Sequence, residues 1–193
     1  MAVSAVRTHP VVRLENADYL TTKNDKLGHS IPLHTNSQPD ATIHFYHSDQ
    51  PWGELSNFSR HAVFLRERIW PTVEHFYQAQ KCIDAEYQES IRCCETPMLA
   101  KAAAARVAMD DYQANWCKVK EVVMLEGLRA KFQQHPDLSS RLLSTGKSTL
   151  IEYTQNDSYW GSGHGDGKNR LGHLLMKVRA ELQQRADHFH SKI

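Results

Sequence analysis

The chain has 193 residues, the size of one ordinary domain, and carries 23 Lys and Arg against 22 Asp and Glu, for a formal net charge of +1. That balance argues against a protein that coats a polyanion, because neutralising many phosphates takes a clear basic excess, but it leaves room for a site that grips one or two. Hydrophobic residues make up 40% of the chain, enough for one core but below the usual globular share, so part of it is expected to stay unpacked.

Residues 1–40 read as a mostly disordered N-terminal tail. Thr21–Lys26 and His34–Asp40 are polar, show no period and bury too little to offset their ordering entropy. One domain is expected over 41–185, with 186–193 fraying after about Gln184. Thr42–Tyr46 reads as a strand. His61–Leu65 and Arg68–Trp70 read as two more, joined tightly at Arg66-Glu67. Pro71-Thr72 opens a helix, Asp84 caps a second that runs through Cys94, and Thr96-Pro97 starts an alanine-rich third. Asp110 or Asp111 is the expected cap of a long helix that ends near His135-Pro136, and Pro136 starts a short one. Ser148–Tyr153 is a late strand, and Asn169 opens a final helix with Leu171, Leu174, Leu175 and Val178 at core spacing. The class is α+β: a compact, mostly α-helical single domain with a small β-sheet.

No run approaches the ~20 apolar residues of a membrane span. The N-terminus shows no apolar leader, and Glu15 and Asp18 speak against a transit peptide. Cys82, Cys93, Cys94 and Cys117 form no C-x-x-C pair and read as reduced thiols of a cytoplasmic or nuclear protein. The 12 histidines are scattered, with no H-E-x-x-H, so neither a metal nor another cofactor is expected. Gly146-Lys147 and Gly167-Lys168 are not Walker motifs, since Arg141 and Ser162 stand where the leading glycine belongs.

Three segments could carry chemistry. Trp160–Asn169 holds four glycines, Gly161, Gly163, Gly165 and Gly167, and runs into a helix N-terminus. It is either a flexible turn or an anion cradle; the adjacent Trp160, able to stack on a base, favours a ligand. In Trp70–Lys81, helical spacing puts Glu74, Gln78 and Lys81 on one face and Val73, Phe76, Tyr77 and Gln80 on another. On spacing alone, Glu74 and Lys81 are a solvated surface pair, worth a few tenths of a kcal/mol. Trp52–Phe58 crowds an aromatic, a carboxylate and an amide into a loop, which alone reads as an Asx-type turn packed by Trp52 and Phe58.

Taken together and in order, these segments resemble the YbiA/NADAR N-glycosidase family. The residues that carry the resemblance are Phe45-Tyr46, Leu55–Phe58, Trp70–Lys81, Asn156–Gly161 and Gly167–Arg179, within a match over roughly 42–182. The resemblance implies a YbiA-like domain that cleaves an N-glycosidic bond without a cofactor. The first expectation is removal of ADP-ribose from guanine adducts in DNA, RNA or nucleotides. The alternatives are cleavage of phosphorylated riboflavin-biosynthesis intermediates, or an ADP-ribose or NAD-binding module without catalysis. No protein partner or membrane is implied. Positive charge develops on the sugar during such a cleavage, and a nearby carboxylate opposes it, activates water or protonates the leaving nitrogen. Glu74 is the first choice for that role and Asp157 the second. Lys81 either attacks an opened ribose as a Schiff base or pairs with Glu74 and sets its pKa. Asn57 and Asn169 are expected on ribose hydroxyls, and Phe58 and Trp160 on a base. Gly161, Gly167 and Lys168 are expected on phosphate, with Arg106 a plain surface residue.

Overall fold

The computed structural model describes residues 41–107 and 112–191. The expected tail over 1–40 and the expected caps Asp110 and Asp111 lie outside the described residues.

Among the described residues, four short strands and six α-helices build the α+β fold expected from the sequence. β1 (Thr42–Phe45) pairs in parallel with β4 (Thr149–Glu152), Thr42 opposite Thr149 and Phe45 opposite Glu152. β2 (Val63–Leu65) and β3 (Arg68–Trp70) form an antiparallel hairpin. Its two connecting residues, Arg66 (φ 51°) and Glu67 (φ 62°), are both left-handed, as the tight turn matching strand twist requires. Arg66 holds this conformation by binding the Gln80 side-chain oxygen at 2.5 Å and both Glu126 oxygens.

The hairpin ends on Trp70, buried edge-to-face against Phe76 at 5.5 Å, and leads into α1 (Val73–Ala79). Thr72 caps this helix by accepting from the His75 amide. Every residue of α1 is buried, so the face expected in solvent does not exist. The reason lies in long-range packing: α1 is enclosed by α2 (Ala85–Arg92), α3 (Pro97–Ala104), α4 (Trp116–Gln134) and β3. Helix α4 crosses closely at Gly127, where a Cβ would come within 2.7 Å of Val73 Cγ1. Helix α4 starts at Trp116, behind Asn115, later than expected.

Helix α5 (Pro136–Leu143) begins at its proline, as expected. Helix α6 (Arg170–His190) continues past Gln184, where fraying was expected. Its start lies against β4: Asn169 donates to Leu150 O and accepts from the Glu152 amide, and a Cβ on Gly172 would strike Leu150 O at 2.1 Å. The glycine-rich loop is thereby stitched between β4 and α6.

Candidate active site

Helix α1 is the wall of a cavity of about 300 Å³, at the low end of ordinary ligand sites. Glu74, Tyr77 and Gln78 face it from the helix, and Lys81 faces it from just beyond the C-cap Gln80. Asn57 and Phe58 come from the loop before β2, Asp157 and Trp160 from the loop after β4, and Lys101 from α3. A larger open groove of about 880 Å³ lies elsewhere, between α4 and α6, lined by residues such as Glu126, Arg129, Glu181 and Arg185. The smaller cavity is the candidate site because it alone gathers the residues expected to act.

Glu74 is 3% exposed. Asn57 Nδ2 donates to its Oε2, and Gln78 Nε2 donates to its Oε1 at 2.6 Å. Burial pushes its pKa up, while Gln78, Lys101, Lys81 and Asn57 all favour the charged form. Burial also pushes the Lys81 ammonium below its ordinary pKa, against the opposing pull of Glu74. Its Nζ stands over the Tyr77 ring, 5.5 Å from the centroid. A buried carboxyl and an amine inclined to lose its proton therefore share one wall, in place of a solvated pair.

The loop bearing Asn57 is held from below. Lys131 is fully buried on α4, and its Nζ donates to Glu54 O at 2.5 Å, Ser56 O at 2.9 Å and Ser59 Oγ. Trp52 and Glu54 point away from the cavity: Arg141 of α5 stacks on the indole at 3.7 Å and binds the Glu54 carboxylate at 2.6 Å. Opposite them, Asp157 Oδ1 accepts from the amides of Tyr159 and Trp160 at 2.8 and 2.7 Å, so one of its oxygens is spent on shaping its own turn. Trp160 meets Tyr77 and Tyr159 edge-to-face at 5.5 and 5.1 Å, which fixes the indole against the cavity.

Thus Glu74, Lys81, Asp157, Asn57, Phe58 and Trp160 come together. Gly161, Gly167, Lys168 and Asn169 are not on the cavity wall. Gly161 and Gly167 let backbone strands touch, since a Cβ there would lie 2.9 Å from Glu152 O and 2.3 Å from Ser162 C respectively. Asn169 (φ 46°) spends its amide on β4, and Lys168 Nζ lies 5.6 Å from the Tyr159 ring centroid. Arg106 is likewise off the wall. Among the wall residues not anticipated as site residues are Lys101 and Glu152. Glu152 had a legible signal, a carboxylate two positions after the apolar Leu150 and hence on the same, inward face of β4. Among the described residues, no three His, Cys, Asp or Glu side chains are grouped as metal ligands, and no helix is long and apolar enough to cross a membrane.

A small α+β domain with a cavity walled by a buried helix, which carries the carboxyl and leads directly into the amine, is the class that fold and site define. The model of the NADAR domain matches residues 44–183. The chain is 46% identical over 144 residues to the N-glycosidase YbiA of Escherichia coli, covering 74% of this chain and 89% of that one. It is 41% identical to an N-glycosidase of Nostoc punctiforme, covering 74% and 93%. The NMR structure of E. coli YbiA superposes with a TM-score of 0.71 at 44% identity, over 77% of this chain and 89% of the other. A riboflavin biosynthesis protein of Vibrio vulnificus is 38% identical, but this chain spans only 39% of it. The chain belongs to the NADAR domain family.

Proposed function

We propose that this protein is an N-glycosidase that hydrolyses the bond between a ribosyl carbon and a nitrogen, and that its substrate is ADP-ribose attached to guanine. The observation that carries the hydrolytic part is the pairing of Glu74 and Lys81 on one cavity wall, both displaced from their ordinary pKa by burial. The names of the N-glycosidase relatives in Escherichia coli and Nostoc punctiforme support the same reaction class. Glu74 opposes the positive charge that grows on the ribose as the bond breaks. Lys81, lowered in pKa by burial and drawn the other way by Glu74, stands on the same wall, where its charge favours ionised Glu74. Asn57 orients Glu74, while Phe58 and Trp160 offer rings for the base. The cavity volume of about 300 Å³ suits a nucleoside-sized group better than a whole dinucleotide. The phosphates then lie beside Lys81 and Lys101, the two lysines of the cavity wall.

The test is incubation of the folded protein with ADP-ribosylated guanosine and with ADP-ribosylated DNA, followed by chromatography for free ADP-ribose. Release that Glu74→Gln or Lys81→Met lowers by about 100-fold or more, with binding little changed, supports hydrolysis by these groups. A second reading, cleavage of a phosphorylated ribosylaminopyrimidine, is favoured by the riboflavin-biosynthesis names of the Vibrio vulnificus and Zea mays relatives. Loss of that compound with no ADP-ribose release would select it. Tight binding of ADP-ribose with neither substrate consumed would make the protein a binding module.

A further inference from the structure

The cavity contains a carboxyl with a buried oxygen that has no hydrogen-bond partner. Glu152, the last residue of β4, is 8% exposed, lines the cavity, and its Oε2 is buried with no hydrogen-bond partner. An unpaired buried carboxyl oxygen costs free energy, so its retention calls for a reason. Its contrast with Glu74 supplies one. Both oxygens of Glu74 already accept from amides, of Asn57 and Gln78, so that side chain is locked in place as an acceptor. The unpartnered Glu152 oxygen is left available to a group of the substrate.

We propose that Glu152 is the catalytic residue that hands a proton to the departing nitrogen, through this unpartnered Oε2. The inference rests on the N-glycosidase reading above. As the bond between ribosyl carbon and nitrogen breaks, its electron pair goes to the nitrogen, which takes the Glu152 proton and leaves as a neutral base. The ribosyl carbon, positively charged towards its ring oxygen, faces Glu74. Water adds its oxygen to that carbon and loses one proton, which restores Glu152. Atoms and charges balance as the addition of one water.

The surroundings keep such a proton in place. Burial, the neighbouring Asp157 and then Glu74 push the Glu152 pKa up to about 7, against the pull of Lys101. The titratable groups around the same cavity are Glu74, Tyr77 and Lys81 at α1, Lys101 on α3, Asp157 after β4, and Tyr46 and His47 after β1. Two carboxyls with different partners, one locked by amides and one free, form the division of labour seen when one acts on charge and the other on a proton.

The test compares wild type and Glu152→Gln under single-turnover conditions on ADP-ribosylguanosine, or on the ribosylaminopyrimidine phosphate if that is what the wild type cleaves. Glu152→Gln is expected to lower the rate 10²–10⁴-fold, the usual range for a lost proton donor. In the wild type the rate should fall as the pH rises above about 7, and Glu152→Gln should lose that alkaline limb. A rate within about threefold of wild type, or an alkaline limb that survives the substitution, overturns the proposal. A wild-type rate that stays level from pH 6 to 9 also overturns it, even if the variant does not fold. If the wild type cleaves neither compound, the functional reading falls and the proposal with it; an active wild type with an unaffected variant removes Glu152 alone.

Discussion

At the scale of single residues, the site is a set of buried polar groups, each held by a named neighbour. Asn57→Ala strips one of the two amide donors from Glu74 and leaves a buried carboxylate oxygen unpaired. A stability loss of about 1–3 kcal/mol is expected in urea unfolding, with a larger proportional loss in turnover, because Glu74 is then free to swing from its position. Lys131 never reaches the cavity, yet its Nζ ties the carbonyls of Glu54 and Ser56 under the loop that carries Asn57. Lys131→Met keeps the apolar stem and removes the donor, stranding both carbonyls. A loss of roughly 3 kcal/mol is expected by the same measurement, along with weaker substrate binding. A melt unchanged within error would show that water takes over from the ammonium.

At the scale of elements, α1 decides the site, and its burial is what local pattern could not show. The caps were legible because they are local chemistry: Thr72, Asp84 and Thr96 each accept amides of their own first turn. The hairpin was legible too, from a polar dipeptide between short apolar runs. Helical spacing does place Glu74 and Gln78 together, but only distant contacts with α2, α3 and α4 turn that face from solvent to cavity. The glycine-rich loop misled for a related reason: glycine permits close approach of any backbone, and here the approaching backbone is the protein's own. Two substitutions test α1 as an element. Thr72→Ala removes the cap and a 2.8 Å contact to His75 Nδ1, for an expected cost of about 1 kcal/mol. Gly127→Ala pushes α4 against Val73 and is expected to cost about 1–3 kcal/mol, with turnover falling as α1 shifts. Calorimetric melts of the two variants read both values.

At the scale of the whole molecule, the buried ionisable groups make folding stability depend on pH, and their signs differ. Burial raises the folded pKa of Glu152 to about 7 from its ordinary 4.5, so between those pH values the native state holds more protons than the unfolded chain. Stability from this group is therefore complete below about pH 4.5 and is lost as the pH rises through about 7. Lys131 runs the other way: burial lowers it from 10.5 to about 7, so the native state holds fewer protons in that window and stability rises with pH across it. His75, held below 6.5 by burial, adds stability as the pH rises through the range beneath that value. These opposing slopes blur any single stability profile, but Lys131 and His75 are common to wild type and Glu152→Gln and cancel in their difference. The variant, which cannot ionise at 152, should gain on the wild type from pH 4.5 to about 7 and level off above it. The full gain is about 3 kcal/mol, the free energy of a shift from 4.5 to about 7. Urea midpoints of both proteins at half-unit pH steps measure it. A difference that stays flat with pH would mean that Glu152 is ionised in the folded protein and carries no proton to give.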